Sequence, residues 1–143
     1  MSDFIMKYIR QVDGHRNDFS IPATFEKIQN LETQLGIKLP DDYKEFLCFT
    51  DGFTGFINKS FVRFSPVDEL FPEMQNYCIE FFPWAVCIGT NGGGEMFVID
   101  KRQQPYQFGI LPFIADEEDF FPLGDTFEKF ILRLYNDTAF DRL

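Results

Sequence analysis

The sequence predicts an α+β domain, in which helices from the N-terminal and C-terminal ends of the chain pack on a largely antiparallel central sheet. Apolar residues recur at helical spacing near both ends, whereas residues 84–113 contain β-prone apolar runs. No internal repeat, low-complexity tract or Pro/Gly/Ser-rich linker divides the 143 residues. Because the early and late helices must then share one strand-rich middle, we expect a single domain spanning residues 1–143.

Two helices are predicted at the start of the chain. Residues 1–20 are predicted to form a short helix and a polar connector, and the apolar face of that helix consists of Phe4, Ile5, Tyr8, Ile9 and Val12. The next helix is predicted to begin at Pro22, since proline suits a first helical turn, and to end at Gly36. Its buried side is predicted to consist of Phe25, Ile28, Leu31 and Leu35.

A third helix is predicted to begin in the segment Leu39-Pro40-Asp41-Asp42. Proline loses no hydrogen bond at the first helical position, and the two acids favour the positive end of the helix dipole. Asp51-Gly52 is predicted to end this helix, because glycine readily adopts the left-handed conformation of a helix exit. The predicted buried side consists of Tyr43, Phe46, Leu47 and Cys48.

The middle of the chain is predicted to form strands. Apolar, β-prone runs occur in four stretches, residues 61–64, 84–88, 96–99 and 108–113. Pro112 interrupts the last of them. The glycine-rich stretch 89–94 predicts a wide hairpin turn between two of these runs, because glycine tolerates a positive φ.

The last helix has the clearest pattern in the sequence. Asp125 and Glu128 have the spacing of a capping box. The apolar stripe that follows, at spacing i, i+3, i+4 and i+7, consists of Phe127, Phe130, Ile131 and Leu134.

The composition is typical of a folded protein of the cytoplasm. The chain is 45% hydrophobic and contains 20 phenylalanines, which is enough apolar area for a well-filled core. Charged residues interrupt the first thirty residues, and no later apolar run is long enough to cross a bilayer, so we expect no membrane attachment. Cys48, Cys78 and Cys87 lack CxxC spacing, which fits neither a disulfide framework nor a zinc knuckle.

Few residues suggest catalysis or a cofactor. The only histidine, His15, lies in a polar connector without a second ligand nearby. Gly92-Gly93-Gly94 is not followed by the Gly-Lys-Ser/Thr of a phosphate-binding loop. Asp116-Glu117-Glu118-Asp119 lacks the alternating ligands and the glycine of a calcium loop and predicts a solvated acidic turn. We therefore expect a protein that is not an enzyme and that carries neither cofactor nor metal.

The formal net charge of −10 is concentrated in one part of the chain. Residues 64–128 contain twelve acidic residues and only Lys101 and Arg102 as basic ones, whereas the remainder is balanced. Such a surface repels a phosphate backbone and attracts a basic protein, so direct binding of nucleic acid is disfavoured. The same charge can also serve solubility alone.

A protein-binding site is predicted where large aromatic residues stand beside acids, because aromatic anchors contribute much of the energy of an interface. Phe81-Phe82-Pro83-Trp84 and Phe120-Phe121 are such places, with core packing as the alternative reading. Neighbouring aromatics on a strand point to opposite faces, so we expect one of each pair to be exposed or half covered. The candidate contact residues are Trp84, Glu95, Asp116, Glu117, Glu118, Asp119 and Phe120.

Four motifs follow one another in a familiar order: residues 28–52 with Leu39-Pro40, residues 67–70, the glycine turn within 88–98, and residues 126–131. Together they resemble the SUKH superfamily, the relatives of Smi/Knr-type glucan-synthesis regulators, over residues 22–135. Asp51-Gly52 stands where that family usually has Asn-Gly, and Thr126 stands where a serine is common. Both differences keep the turn or cap chemistry.

The resemblance implies an α+β domain and, for many bacterial members, an immunity role: binding a cognate toxin, often a nuclease or deaminase, and blocking it. Fungal relatives look like regulators of cell-wall synthesis, so the family alone does not choose between these functions. The compact size and the concentrated negative charge favour an immunity protein with a basic toxin as partner. The alternative is an intracellular regulatory adapter related to the glucan-synthesis regulators.

Overall fold

The computed structural model describes residues 5–9 and 18–136. In this part of the chain seven strands form one antiparallel sheet whose spatial order follows the chain order. The strands are β1 (Asp18–Phe19), β2 (Phe53–Ile57), β3 (Ser60–Phe64), β4 (Ala85–Thr90), β5 (Glu95–Asp100), β6 (Gln107–Pro112) and β7 (Phe121–Gly124). The helices are α1 (Phe25–Leu35), α2 (Asp41–Phe49), α3 (Val67–Tyr77) and α4 (Phe127–Tyr135), together with a π-helical turn at Ile5–Ile9 and a 3₁₀ turn at Glu117–Asp119.

The predicted fold class is confirmed, and two elements depart from the predicted layout. Strand β1 lies in the stretch that was predicted to be a polar connector, where Phe19 pairs with Phe53 of β2. Helices occur near both ends, but α3 lies in the middle of the chain, between β3 and β4. The predicted N-terminal helix is described only at Ile5–Ile9, where Ile9 is buried and Tyr8 packs against Tyr135 with 4.8 Å between ring centroids. Phe4 and Val12 lie outside the described residues.

The boundaries of α1 follow from its caps. The Oγ of Thr24 accepts a hydrogen bond from the Lys27 amide, and Gly36 ends the helix in the left-handed region at φ 71°. Pro22 therefore precedes the N-cap and does not lie in the first turn, as the sequence had indicated. The predicted burial of Phe25 is also wrong, because its side chain is 69% exposed. Helical geometry places it roughly 90° from the centre of the buried stripe.

Helix α2 begins one residue later than predicted, with Pro40 at the N-cap position. Tyr43, Phe46 and Leu47 are fully buried, which confirms most of its predicted apolar side. Cys48 is exposed, so the prediction that it is buried was wrong. At 100° per residue Cys48 lies roughly 140° from Tyr43, on the outer side of the helix.

The two central strands are covered on both faces. Every residue from Ala85 to Gly89 and from Met96 to Asp100 is buried, whereas burial alternates along β2 and β3. On one face Phe64 packs against Phe127 and Phe130 of α4. Arg63 points to the other face, where its guanidinium meets Glu69 and Glu73 of α3.

The glycine-rich hairpin turn is confirmed between β4 and β5, with positive φ at Gly92 and Gly94. Helix α4 is also confirmed, but Thr126, rather than Asp125, is its N-cap, and its Oγ accepts from the Lys129 amide. The predicted capping box is therefore wrong; Asp125 instead forms an ion pair with Lys129. Within residues 5–9 and 18–136, no helix is long and apolar enough to span a membrane.

Candidate protein-binding site

Two connecting segments lie side by side on the surface and together form the candidate site. Residues 77–84 lead from the last residue of α3 to β4, and residues 113–120 join β6 to β7. Tyr77 packs edge-on against Phe113 at one end, with 5.3 Å between ring centroids, and Trp84 packs against Phe120 at the other, at 5.4 Å. We refer to residues 77–84 and 113–120 as the two-segment face.

The Trp84 end of this face is held by one arginine. The guanidinium of Arg102 stacks on the Trp84 ring at 3.9 Å and donates hydrogen bonds from Nε and Nη2 to the carboxylate of Asp100, which is only 7% exposed. A further N–H of Arg102 donates to Glu117. The hydrogen bonds to Asp100 raise the pKa of Arg102, so Arg102 keeps its positive charge. That charge is compensated within the protein by Asp100 and Glu117. Trp84 is therefore a support beneath the face rather than a free anchor.

The acidic turn at residues 116–119 is ordered by its own side chains. The Asp116 amide donates to the carboxylate of Asp119 at 2.8 Å, and the Asp116 side chain accepts from the Asp119 amide in return. Glu117 is paired with Arg102, whereas Glu118 is exposed. The four acids thus divide into two that cap the turn, one that is neutralised and one that faces solvent.

Glu95 lies apart from Trp84, Arg102 and the acidic turn. It stands at the first position of β5, opposite Pro112, while Asp100 ends the same strand. Five residues of extended strand separate the two by roughly 17 Å. The Glu95 carboxylate accepts a hydrogen bond from the side-chain Nδ2 of Asn91 at 2.8 Å and so fixes the glycine turn. The structure brings Trp84, Glu117 and Phe120 into one cluster around Arg102 and leaves Glu95 at the opposite end of β5 from Asp100.

The sequence missed most of the apolar part of this face. Of the ten large hydrophobic residues that are exposed in the described part of the chain, five lie in these two segments. They are Tyr77 (50%), Ile79 (51%), Phe81 (73%), Phe113 (37%) and Ile114 (97%). The expectation that one member of an aromatic pair is exposed holds for Phe81 and Phe82, which is 4% exposed. Phe120 and Phe121 are instead both partly buried against the core.

Negative charge accumulates at the same place. Of the twelve acids in residues 64–128, six form ion pairs within the described residues: Asp68, Glu69, Glu73, Asp100, Glu117 and Asp125. The six that form none there are Glu80, Glu95, Asp116, Glu118, Asp119 and Glu128. Four of these six, Glu80, Asp116, Glu118 and Asp119, lie in the two-segment face. Among the described residues, no group of three or more His, Cys, Asp or Glu is placed to hold a metal ion.

A second apolar surface lies far along the chain from the first. A groove of about 720 Å³ runs between the start of α1 and one side of α2 and is lined by Pro22, Phe25, Ile28, Asp41, Lys44, Glu45, Cys48 and Phe49. Ile21, which precedes it, is 85% exposed. We refer to this region as the α1–α2 groove.

Comparisons with known proteins agree with the order of motifs in the chain. Residues 22–133 match the family model described as the SMI1 / KNR4 family (SUKH-1). The chain is also 30% identical over 113 residues to the "Uncharacterized protein YnaB" of Bacillus subtilis (strain 168), which covers 77% of this chain and 74% of that protein. The matched residues include α1, α2, α3 and both segments of the two-segment face.

Proposed function

Because the chain belongs to the SMI1/KNR4 family (SUKH-1), we propose that it is a non-enzymatic, protein-binding domain, and specifically an immunity protein. In this proposal it binds a cognate basic toxin in the cytoplasm and blocks the toxin's action. The three cysteines are free, as expected for a reducing compartment.

The observation that carries the proposal is that exposed apolar side chains and acids without an ion pair in the described part of the chain occur together on the two-segment face. Apolar side chains supply most of the binding energy of an interface, while charges of one sign steer a partner of the opposite sign. Arg102, which stacks on Trp84 of this face, is already bound to Asp100 and Glu117. The face is thus complementary to a basic surface.

A toxin that acts on nucleic acid presents such a surface, since it must neutralise phosphates with lysine and arginine. An acidic protein seated there competes directly with the substrate. Of the candidate contact residues, we propose Glu118, Asp116 and Asp119 as contacts, and Trp84, Glu117 and Phe120 as the support that positions them. Glu95 adjoins the Phe113 end of the face, because the Phe113 amide donates to the carbonyl of neighbouring Gly94.

A growth-rescue experiment tests the proposal. A toxin domain encoded beside this gene is expressed in a bacterial host, with the wild-type protein or with the charge-reversal variant Glu80→Lys/Glu118→Lys. We expect the wild-type protein to restore growth and the variant to restore it poorly. Binding measured by calorimetry is expected to weaken as salt rises from about 0.05 M to about 0.5 M, because the screening length falls below one side-chain diameter.

If the protein is a regulatory adapter, neither rescue of growth nor binding of a neighbouring toxin is expected. Its partner is a housekeeping protein, and the acidity serves solubility. Co-purification with such a partner, together with failure to bind or neutralise any neighbouring toxin, would replace the immunity proposal with the adapter.

A further inference from the structure

Ile114, Phe81 and Tyr77 are large apolar residues whose side chains are half or more exposed. The two segments that carry them are joined by a contact between aromatic rings. Ile114 is 97% exposed and follows Phe113, whose ring packs on Tyr77. Isolated exposed hydrophobics are common, whereas a contiguous group rimmed by polar residues marks an interaction site.

The backbone beneath these side chains is ordered by its own hydrogen bonds. The Phe82 amide donates to the carbonyl of Cys78 at 2.6 Å, and the Ala85 amide donates to the carbonyl of Phe82 at 2.9 Å. Both Cys78 and Phe82 are buried. An ordered surface loses little conformational entropy when a partner covers it, and such preorganisation raises affinity.

The charges around this group restrict what can cover it. Glu80 lies between Ile79 and Phe81 in the first segment, and the acidic turn follows Ile114 in the second. A second copy of the chain would bring like charges together, which is destabilising. An anionic lipid surface or a nucleic acid would be repelled for the same reason.

We propose that Tyr77, Ile79, Phe81, Phe113 and Ile114 form the anchor site for a basic amphipathic segment of a partner protein. Apolar side chains of that segment pack on Ile114 and on Phe81, and flanking lysine or arginine side chains pair with Glu80 and the turn at residues 116–119. This inference rests on the proposed function for the identity of the partner as a toxin, but the anchor site itself can be tested without one.

The test uses a synthetic peptide that alternates lysine and leucine as the probe, with a lysine–serine peptide of the same charge as its control. Amide NMR spectra of the full chain are recorded during titration with each peptide. We expect the lysine–leucine peptide to shift resonances of residues 77–84 and 113–120 and to bind about tenfold more tightly than the control peptide.

Matched variants then separate the two apolar surfaces. Phe81→Ser/Ile114→Ser is compared with Ile21→Ser/Phe25→Ser, which removes equally exposed side chains at the α1–α2 groove. We expect the first pair to weaken peptide binding about tenfold and the second to change it less than about twofold. Equal losses in both variants, or resonance shifts confined to the groove, would overturn the anchor site.

The same variants distinguish this inference from the proposed function. If a neighbouring toxin is neutralised but Phe81→Ser/Ile114→Ser has no effect on rescue or on peptide binding, the anchor site is wrong and the immunity role stands. If no toxin is bound but the peptide maps to the two-segment face, the anchor site stands and the immunity role is wrong.

Discussion

The two-segment face and the α1–α2 groove both expose large hydrophobic side chains, and they differ in the charges around them. Lys44 in the groove is 3.7 Å from Asp41 and 3.5 Å from Glu32, and Glu45 is the one acid lining the groove that forms no ion pair within the described residues. At the two-segment face four acids form no ion pair within the described residues, and Arg102 is already bound to Asp100 and Glu117. Exposed apolar area is common to both surfaces, and the larger number of acids without an ion pair is what makes the two-segment face the better match for a basic partner.

The two surfaces also differ in how they are supported. The groove is a gap between the start of α1 and one side of α2. The Trp84 end of the face is instead held by four side chains that contact one another, Trp84, Arg102, Asp100 and Phe120. Damage to this support should therefore affect stability and binding together, and equivalent changes at the groove should affect neither strongly.

The largest effect is expected at Gly109, beneath Phe120. A Cβ atom at this position would lie 2.4 Å from the carbonyl oxygen of Phe121 and 2.6 Å from the Phe120 ring. Because a backbone atom cannot shift cheaply, we expect Gly109→Ala to lower the free energy of unfolding by about 3 kcal/mol. Denaturant unfolding followed by the fluorescence of the single tryptophan, Trp84, measures this loss.

Gly93→Ala is the matched control, because the nearest atom to its Cβ would be 3.5 Å away, an ordinary contact. We expect the free energy of unfolding of this variant to differ from that of the wild type by less than about 0.5 kcal/mol. Similar losses in the two alanine variants would show that Gly109 does not support the face as described.

The next largest effect is expected for Arg102→Met. This change leaves the carboxylate of Asp100, 7% exposed, without its guanidinium partner and uncovers Trp84. We expect a loss of about 2 kcal/mol in the free energy of unfolding, smaller than for a fully buried pair because Arg102 itself is 39% exposed. The double variant Asp100→Asn/Arg102→Met should recover part of that loss, since it removes the unpaired charge.

Lys44→Met is the corresponding change at the groove. Its ion pairs with Glu32 and Asp41 are longer, and Asp41 is fully exposed. Exposed pairs contribute little, so we expect a loss below about 1 kcal/mol in the same unfolding assay. A loss as large as that of Arg102→Met would contradict the contrast between the two surfaces.

The elements with regular hydrophobic periodicity could be predicted from the sequence. Helix α4 was correct because its apolar residues repeat at helical spacing, and the strands on either side of the glycine turn were correct because they are short continuous runs of apolar, β-prone residues. Helix α3 was missed although Val67, Leu70 and Met74 have helical spacing, because Pro72 lies inside it. Strand β7 was missed because it has only four residues, one of them a proline.

The candidate site was predicted only in part, for a physical reason. Counting charges along the sequence located the acidic turn, because four acids are consecutive there. Which acids are free depends on tertiary pairs such as Arg102 with Glu117, fifteen residues apart in the chain. The contact between Tyr77 and Phe113 joins segments that are distant in sequence, so the anchor site has no local pattern.

A smaller effect is expected from the free charges of the face. Glu80→Gln/Glu118→Gln should slow association with the lysine–leucine peptide several-fold at low salt, and the difference should vanish near about 0.5 M salt. Asp116 and Asp119 are left unchanged, because their carboxylates cap the turn. Stopped-flow mixing measures the rates, and Glu26→Gln/Glu45→Gln is the control at the groove side. Equal slowing by both pairs would mean that net charge, rather than its position, steers the peptide.

The smallest effect is expected at Glu73, one helical turn before Tyr77 on α3. Burial raises the pKa of Glu73 above its ordinary value of 4.5, although the hydroxyl of Ser65 donates a hydrogen bond to it at 2.7 Å, which acts in the opposite direction. The folded protein therefore binds this proton more tightly than the unfolded chain does. It follows that the contribution of Glu73 to the free energy of unfolding falls as pH rises from the ordinary pKa through the raised one.

Glu73→Gln should remove that fall, leaving the variant at least as stable as the wild type at neutral pH. The amide oxygen can still accept from Ser65, so the local packing is kept. The free energy of unfolding of the wild type and of Glu73→Gln is measured between mildly acidic and neutral pH. Glu69→Gln, a change at a half-exposed residue of the same helix, is the control. Parallel profiles for Glu73→Gln and the wild type would show that Glu73 holds its proton equally tightly in the folded and unfolded states.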